Sequence, residues 1–289
     1  MEKNNLKLAV QKKGRLSEKS LNLLRSCGID IENYAERLLV TTKNFNLDLL
    51  FLRDDDIPEY VQDGVADIGI VGENVIYEKE KDVEVVKKLG FGKCKLMMAF
   101  PEGKTLDAVD EINGKIIATS YPKILGNFLN ENNVKADIIQ LSGSVEIAPS
   151  LGIADLICDI VSTGNTLKMN KLKKSFPIFN SEAVLIKSKK LSDDVVKSNI
   201  LDELCSRIDS ALTAKKSKYL MMNIPKNNLK TILEIIPSLK SPTVLPLADD
   251  NLVAIHAVIP NDTFWDINTL LKENGASGIL LLPIDNMIV

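Results

Sequence analysis

A carboxylate followed by a hydroxyl-rich turn, within residues 156–166, is the part of this chain with the clearest chemistry. The apolar residues of 156–161 predict a buried strand, and Asp159 interrupts them with a charge that needs a partner or a ligand. The turn is Ser162-Thr163-Gly164-Asn165-Thr166, with three hydroxyls, one amide and a glycine. Hydroxyl and backbone N–H groups on such a turn can hold a phosphate, while the preceding acid can hold a ribose diol. The segment predicts a phosphoribosyl pocket, and an ordinary helix cap is the alternative for the turn alone.

Two more polar clusters follow predicted strands nearer the N-terminus. The first is Gln11-Lys12-Lys13-Gly14-Arg15, in which Arg15 can contact two oxygens of one phosphate and Lys12 acts as a point charge. It predicts a pyrophosphate or triphosphate site, against a solvated basic turn. The second is Arg53-Asp54-Asp55-Asp56, which has more carboxylates than a helix cap requires. They predict either an ordered Arg53 for phosphate or ribose contact or a water-mediated Mg²⁺ site, with cap and surface residues as the alternative.

Glycines and hydroxyls end two other predicted strands. Gly69, Gly72 and Glu73 lie at the end of the third strand, where glycines would let a flat ring approach the backbone. A tight strand-to-helix turn is the alternative. Tyr121 follows a fourth strand in the loop 118–122, facing either a cleft or the core.

Strand and helix alternate through the first two-thirds of the chain, which predicts mostly parallel sheets covered by helices. Ser17 is the predicted N-cap of the first helix, which stops at Gly28. A second α/β unit starts near Cys94; after its last strand we expect a helix over 163–172 and a return strand over 182–188. Two α/β lobes joined by a hinge would leave a ligand cleft between them.

The last third changes character. A helix is predicted from about 190 to 217, followed by β-α-β-β-α-β, the ferredoxin-like order. Its loops at 239–243 and 275–278 contain the small or polar residues Ser241, Thr243 and Ala276, next to Leu239. They could accommodate an amino-acid ligand, although by themselves they are only turns.

Composition narrows the function further. The chain has 289 residues, a net charge of −3, four scattered cysteines and one histidine. These values disfavour nucleic-acid binding, disulfides, structural zinc and histidine-based triads. No apolar run is long enough to span a bilayer, and the N-terminus lacks a signal peptide, so we expect a cytoplasmic protein.

Nine residues match, at every spacing, the signature of the ATP phosphoribosyltransferase family: Glu146, Gly152, Asp155, Asp159, Ser162, Thr163, Gly164, Thr166 and Leu167. The strings Q-K-x-G-R-L at the N-terminus and RDDDIP at 53–58 also resemble this family. The resemblance extends over nearly the whole chain and indicates a long form with a C-terminal regulatory domain.

The resemblance implies that adenine N1 of ATP attacks 5-phosphoribosyl-1-pyrophosphate, in the first step of histidine biosynthesis, with Mg²⁺ as cofactor. It implies catalytic roles for Arg15, Glu146 and Asp159, the two acids also being candidate magnesium ligands. Implied substrate contacts are Lys12, Gly14, Arg53, Asp54, Gly69, Gly72, Glu73, Tyr121, Ser162, Thr163, Gly164, Asn165 and Thr166. Histidine would inhibit at Leu239, Ser241, Thr243 and Ala276.

The implied fold is a two-lobed, periplasmic-binding-protein-like α/β core plus a ferredoxin-like (ACT-like) α+β domain. We expect one catalytic lobe over 1–93 with 181–213, a second over 94–180, and the regulatory domain over 214–289. A homodimer and a homohexamer are implied, and neither nucleic acid nor membrane is a partner. A non-catalytic two-lobed binder is the alternative function, and a tail that serves only assembly is the alternative for the last domain.

Overall fold

Three sheets organise the part of the chain that the structure describes. A computed structural model describes residues 4–32, 37–103, 105, 107–161 and 164–288. It divides into unit 1, Met1–Asn22 with Asp30–Ile200, and unit 2, Leu23–Ile29 with Leu201–Val289. In the described part of the chain, no helix has the length and apolar character needed to cross a bilayer.

The bounds of the elements follow in chain order. The strands are β1 (Leu6–Gln11), β2 (Leu39–Thr41), β3 (Leu47–Leu52), β4 (Ile68–Gly72), β5 (Glu84–Lys88), β6 (Cys94–Pro101), β7 (Ile116–Thr119), β8 (Asp137–Gln140), β9 (Leu156–Val161), β10 (Leu172–Ser181), β11 (Ala183–Lys187), β12 (Ser217–Pro225), β13 (Thr243–Pro246), β14 (Leu252–Pro260) and β15 (Ser277–Pro283). The α-helices are α1 (Arg15–Ser26), α2 (Ile57–Gln62), α3 (Glu73–Lys79), α4 (Pro122–Glu131), α5 (Asn165–Met169), α6 (Val195–Lys215), α7 (Leu229–Ile235) and α8 (Phe264–Glu273).

The first sheet forms the first lobe of unit 1, with strand order β2-β3-β1-β4-β11-β5. Strand β1 runs parallel to β3 and β4, so the carboxyl ends of these three strands meet at one edge. The β1 side chains Leu8, Ala9 and Val10, which alternate between the two faces, are all fully buried, as expected of a strand covered on both faces.

The second sheet forms the second lobe, with strand order β10-β6-β9-β7-β8. Strand β7 runs parallel to β8 and β9, and therefore the carboxyl ends of these strands also share an edge. The chain enters this lobe between β5 and β6 and leaves it at Glu182, between β10 and β11. This double crossing is the two-lobed arrangement expected from the sequence, and it confirms the predicted α/β class of the core. The expectation of mostly parallel sheets is wrong, because only four of the nine neighbouring strand pairs in these two sheets are parallel. The strands at the two crossings, β5, β6, β10 and β11, pair antiparallel.

Unit 2 confirms the ferredoxin-like order of the last third. Its strands lie in the order β13-β14-β12-β15 and every neighbouring pair is antiparallel. Ile232 of α7 and Leu271 of α8 are fully buried against one face of this sheet, together with Leu220 and Ile255.

Several predicted elements need correction. Ser17 does not cap α1, because Gly14, with φ +116°, makes the turn and the helix begins at once at Arg15. The helix expected over 163–172 is shorter, since α5 ends at Met169 and Leu172 already belongs to β10. Strand β10 was not predicted at all, because Pro177 argues against a strand. It is an edge strand with a register shift at Pro177, where proline is tolerated.

Candidate active site

The N-terminal basic cluster lies where β1 ends. Lys12 and Lys13 have exposed side chains, and the Lys12 N–H donates to the Leu52 carbonyl at 2.8 Å, which ties this turn to the end of β3. A Cβ on Gly14 would stand 3.3 Å from the Gln11 side-chain amide. Glycine is therefore favoured at position 14 for two reasons: it tolerates the positive φ, and it leaves room for the Gln11 side chain.

The acidic cluster lies beside this basic turn. Residues Asp54–Asp56 form a short 3-10 turn that leads into α2, and Asp56 stands at the cap position of α2 without a side-chain cap bond. The Gln11 side chain donates to Asp54. Burial raises the pKa of Asp54, and the neighbouring Asp55 raises it further. A cavity of about 440 Å³ is lined by Gln11, Lys12, Lys13, Leu52, Arg53, Asp54 and Asp55.

The glycines of β4 have a packing reason of their own. A Cβ on Gly69 would come within 2.7 Å of Ile57 and 3.0 Å of Val61, so its bare face accommodates α2. At Gly72 a Cβ would stand 2.5 Å from the Asn74 side chain. Glu73 begins α3, is mostly buried and forms an ion pair with Lys88 at 3.3 Å.

Tyr121 links the two lobes electrostatically. It lies between β7 and α4, and its N–H donates to Thr119 Oγ1 at 2.9 Å. Burial raises the pKa of Tyr121, and nearby Asp159, Cys94 and Asp54 raise it further. Tyr121 also packs against the core of the second lobe. The ring therefore packs on the core of the second lobe, within electrostatic range of Asp54 from the first lobe. Its location in a cleft stays a prediction.

Asp159 and Glu146 form the acidic part of the second lobe. Asp159 accepts from the Ile160 N–H at 2.7 Å within β9, and Glu146 comes from the half-buried 3-10 turn Val145–Ile147. Burial raises the pKa of Asp159, and the Glu146 carboxylate raises it further. A pair of nearby carboxylates suits a cation or a polyol.

The hydroxyl-rich turn follows Asp159 directly. Ser162 and Thr163 lie outside the residues that the structure describes. Gly164 has φ +79°, and Asn165 and Thr166 are exposed in the first turn of α5. Leu167 is buried and anchors this helix to the lobe, which leaves the polar side chains facing solvent.

One cavity was missed by the sequence analysis. It has a volume of about 470 Å³ and contains, besides Glu73, the lysines Lys88, Lys93, Lys95 and Lys174. The only local signal is the string Lys93-Cys94-Lys95, which directly precedes a buried strand.

The predicted regulatory residues lie in unit 2, next to the two opposite edge strands of its sheet. Leu239, Ser241 and Thr243 are exposed before or at the start of β13, and Ala276 is half-buried just before β15. Strands β13 and β15 are the opposite edges of a four-stranded sheet, about 14 Å apart by normal strand spacing. A single unit therefore does not bring the two loops together.

Two family profiles match the chain. One, described as HisG: ATP phosphoribosyltransferase, covers residues 53–210, and the other, described as HisG, C-terminal domain, covers residues 214–286. An ATP phosphoribosyltransferase from Cytophaga hutchinsonii is 50% identical over 283 residues, which is 98% of both chains. One from Bacteroides thetaiotaomicron is 49% identical over 98% of this chain and 100% of its own. The solved ATP phosphoribosyl transferase (HisG:HisZ) complex from Thermotoga maritima aligns with a TM-score of 0.59 and 31% identity, over 71% of this chain and 98% of that chain.

The two-lobed fold, its polar strand ends and these relatives define an enzyme of the pentosyltransferase class. More narrowly, the chain belongs to the ATP phosphoribosyltransferase family, which serves histidine biosynthesis. The resemblance noted in its sequence is thereby confirmed.

Proposed function

We propose that the reaction takes place where Tyr121 of the second lobe meets Asp54 of the first. Adenine N1 of ATP attacks the anomeric carbon of 5-phosphoribosyl-1-pyrophosphate. The N1–C1 bond forms and the bond from C1 to the pyrophosphate oxygen breaks, which gives N1-(5-phosphoribosyl)-ATP and pyrophosphate. The observation that carries this assignment is the proximity of the two lobes at the start of α4, where Lys123 and Ile124 donate to Glu78 of the first lobe and the charges of Asp159 and Asp54 both act on Tyr121.

The second lobe holds the phosphoribosyl group in this proposal. Asp159 and Glu146 contact the ribose hydroxyls, and the turn Ser162-Thr163-Gly164-Asn165-Thr166 holds the 5′-phosphate. The exposed side chains of Asn165 and Thr166 beside the positive-φ Gly164 support this role. Since the ribose gains positive charge as pyrophosphate leaves, two nearby carboxylates also stabilise the transition state.

The first lobe receives the leaving pyrophosphate. Lys12, Lys13 and Arg53 line one cavity, and Gly14 and Arg15 follow Lys13 directly. Cations here stabilise the charge that develops on the pyrophosphate, and a guanidinium can contact two of its oxygens at once. Asp54 lines the same cavity and accepts a hydrogen bond from Gln11, and its charge acts on Tyr121.

Magnesium fits the chemistry of the acidic pair. No three acidic, histidine or cysteine side chains gather as a metal cage within the described residues. Mg²⁺, however, commonly takes one or two carboxylates and completes its shell with water and substrate phosphates. Glu146 and Asp159 would hold it, and it would supply countercharge to the pyrophosphate.

The nucleotide lies against the end of β4 and the start of α3. Glu73 and Gly72 are the proposed contacts, with Tyr121 beside them. Gly69 stays a predicted contact, although its packing against α2 already explains a glycine there. No general base is required because adenine N1 carries a lone pair, so orientation and electrostatics dominate the rate.

Unit 2 is the proposed regulatory domain, through which histidine would inhibit the reaction. We propose that histidine binds at Leu239, Ser241, Thr243 and Ala276 and inhibits turnover. Because β13 and β15 are opposite edges, a site with both loops requires a second copy of the chain, in agreement with the proposed homodimer and homohexamer. Calorimetry with histidine tests this; an absence of binding heat and of inhibition would leave unit 2 an assembly domain.

The boundaries 1–93 with 181–213, 94–180 and 214–289 and the cytoplasmic location stay part of this proposal. A pyrophosphate-release assay tests the reaction itself. Release that requires both ATP and 5-phosphoribosyl-1-pyrophosphate is the expected result. Binding of both compounds without release would instead indicate the non-catalytic binder.

A further inference from the structure

The cavity of about 470 Å³ in unit 1 has more positive than negative side chains around it. Its four lysines are Lys88, Lys93, Lys95 and Lys174, and its two carboxylates are Glu73 and Glu182. We call it the lysine cavity.

Only one of these lysines is neutralised by the carboxylates. Lys88 stands 3.3 Å from Glu73 and 3.8 Å from Glu182. Lys93, Lys95 and Lys174 form no ion pair with any residue in the described ranges. Burial raises the pKa of the Cys94 thiol, so this neighbour stays uncharged at neutral pH. The cavity is therefore suited to a polyanion.

Strand register places the lysines beside the proposed reaction centre. Met97 of β6 pairs with Asp159, Lys95 pairs with Val161, and Lys174 of β10 pairs with Ala99. Paired residues, and residues two apart on a strand, share one face of a sheet. Lys95 and Lys174 thus lie on the face that carries Asp159, each about 7 Å from it along the strands but in opposite directions, level with Val161 and Ile157.

The proposed reaction brings two polyphosphates together, and like charges must be kept apart. Unit 1 provides two cationic cavities, one at Lys12, Lys13 and Arg53, and one with the lysines described above. The first is assigned to the pyrophosphate, whereas the second contains Glu73, a proposed nucleotide contact.

We propose that the lysine cavity binds the triphosphate of ATP, an inference that rests on the proposed function. The triphosphate stays intact through the reaction, so it needs binding rather than transition-state stabilisation. Flexible lysine stems suit this task, because they can follow the chain of phosphates as ATP becomes product.

The test is a triple variant, Lys93→Gln with Lys95→Gln and Lys174→Gln. Its charge-matched control is Lys115→Gln with Lys135→Gln and Lys173→Gln, three exposed lysines of the same lobe that do not line the cavity. Thermal melts of both should resemble that of the unmodified protein. For the triple variant we expect KM for ATP to rise about 10- to 100-fold, with kcat and KM for 5-phosphoribosyl-1-pyrophosphate within about twofold.

Equilibrium binding tests the triphosphate site independently of turnover. Affinity for ATP should fall while affinity for AMP stays nearly constant, so the preference for ATP over AMP shrinks in the triple variant only. An unchanged ATP preference would overturn the proposal. So would a fall in kcat with a higher KM for 5-phosphoribosyl-1-pyrophosphate, because the cavity would then hold the leaving group. An unmodified protein that binds ATP without releasing pyrophosphate would refute the proposed function instead.

Discussion

At the level of single side chains, the charge of Asp159 determines how the site responds to pH. Burial and Glu146 both raise the pKa of this carboxyl, so the ionised form is lost at a higher pH than for an ordinary aspartate. Contact with ribose hydroxyls or Mg²⁺ requires the ionised form.

We therefore expect kcat/KM for 5-phosphoribosyl-1-pyrophosphate to fall as the pH drops through this raised pKa. Glu146→Gln removes the neighbouring charge, so the acidic limb of the pH profile should move to lower pH even though the activity is reduced. Initial rates measured between about pH 4.5 and 8 give the position of this limb, because the range begins near ordinary carboxyl pKa values and extends past that of histidine. A limb that keeps its position in Glu146→Gln would contradict the coupling.

Thr166 and His256 make a contrasting pair. Thr166→Ala removes a hydroxyl from the proposed phosphate turn, and we expect KM for 5-phosphoribosyl-1-pyrophosphate to rise about tenfold. His256 lies in unit 2, where its Nδ1 is 2.8 Å from the Tyr219 hydroxyl, so His256→Ala should leave turnover nearly unchanged. Steady-state kinetics on both variants decide this. A folded but inactive His256→Ala would disprove the structural role of that ring.

Most candidate residues could be found from the sequence because each polar cluster directly follows an apolar strand. Lys174 could not, because it reaches the Asp159 face only through the pairing of β10 with β6, which is distant in sequence. Gly69 is a residue that the sequence does identify as a candidate, but whose role it leaves undecided. Its sequence context is equally suited to a ligand and to a close-packed helix, and only the positions of Ile57 and Val61 reveal the packing.

At the level of elements, α3 of the first lobe caps α4 of the second. The Glu78 carboxylate accepts N–H bonds from Lys123 and Ile124 at 3.1 Å, and these groups belong to the first turn of α4. Burial raises the pKa of Glu78 despite these bonds. The start of α4, and with it Tyr121, is thus held by a residue from the other lobe.

Glu78→Gln should lower the free energy of unfolding by about 1 kcal/mol, because a neutral amide is a weaker acceptor at a helix N-terminus. The control is Glu80→Gln, which breaks only the exposed ion pair with Lys123, 3.0 Å in length, and should change stability by less than about 0.5 kcal/mol. Chemical denaturation of both variants provides the comparison. Equal losses would show that the cap contributes nothing beyond a surface charge.

Two glycines give opposite expectations. Gly69→Ala forces a Cβ against Ile57 and Val61 and should destabilise the first lobe by about 1 to 3 kcal/mol. Gly126 lies inside α4, where a Cβ would meet nothing nearer than 3.9 Å. Gly126→Ala should therefore stabilise the protein by about 0.5 to 1 kcal/mol. Thermal unfolding gives both signs, and a stabilising Gly69→Ala would mean that α2 does not need the bare backbone.

Element types were predictable wherever apolar periodicity was strong, as in β1, β4 and β9. The exact start of α1 was not, because Gly14 allowed the turn to close earlier than a serine cap would have indicated. Strand β10 could not be predicted from its local sequence, which contains a proline and several charges. These residues are tolerated because the strand lies at the edge of its sheet.

At the scale of the whole molecule, the sheet of the first lobe is not continuous in sequence. Strand β11, Ala183–Lys187, lies between β4 and β5, although the entire second lobe separates it from them along the chain. The ordering of the first lobe is therefore coupled to completion of the second.

This arrangement matters while the chain is being made. Until Lys187 has left the ribosome, the strand Ile68–Gly72 has one open edge formed by buried, apolar residues. Such an edge attracts chaperones or other nascent chains. Protease digestion of ribosome-bound chains stalled at increasing lengths should reveal first-lobe protection only after β11 has emerged; protection that appears before then would mean that β4 and β5 first adopt some other pairing.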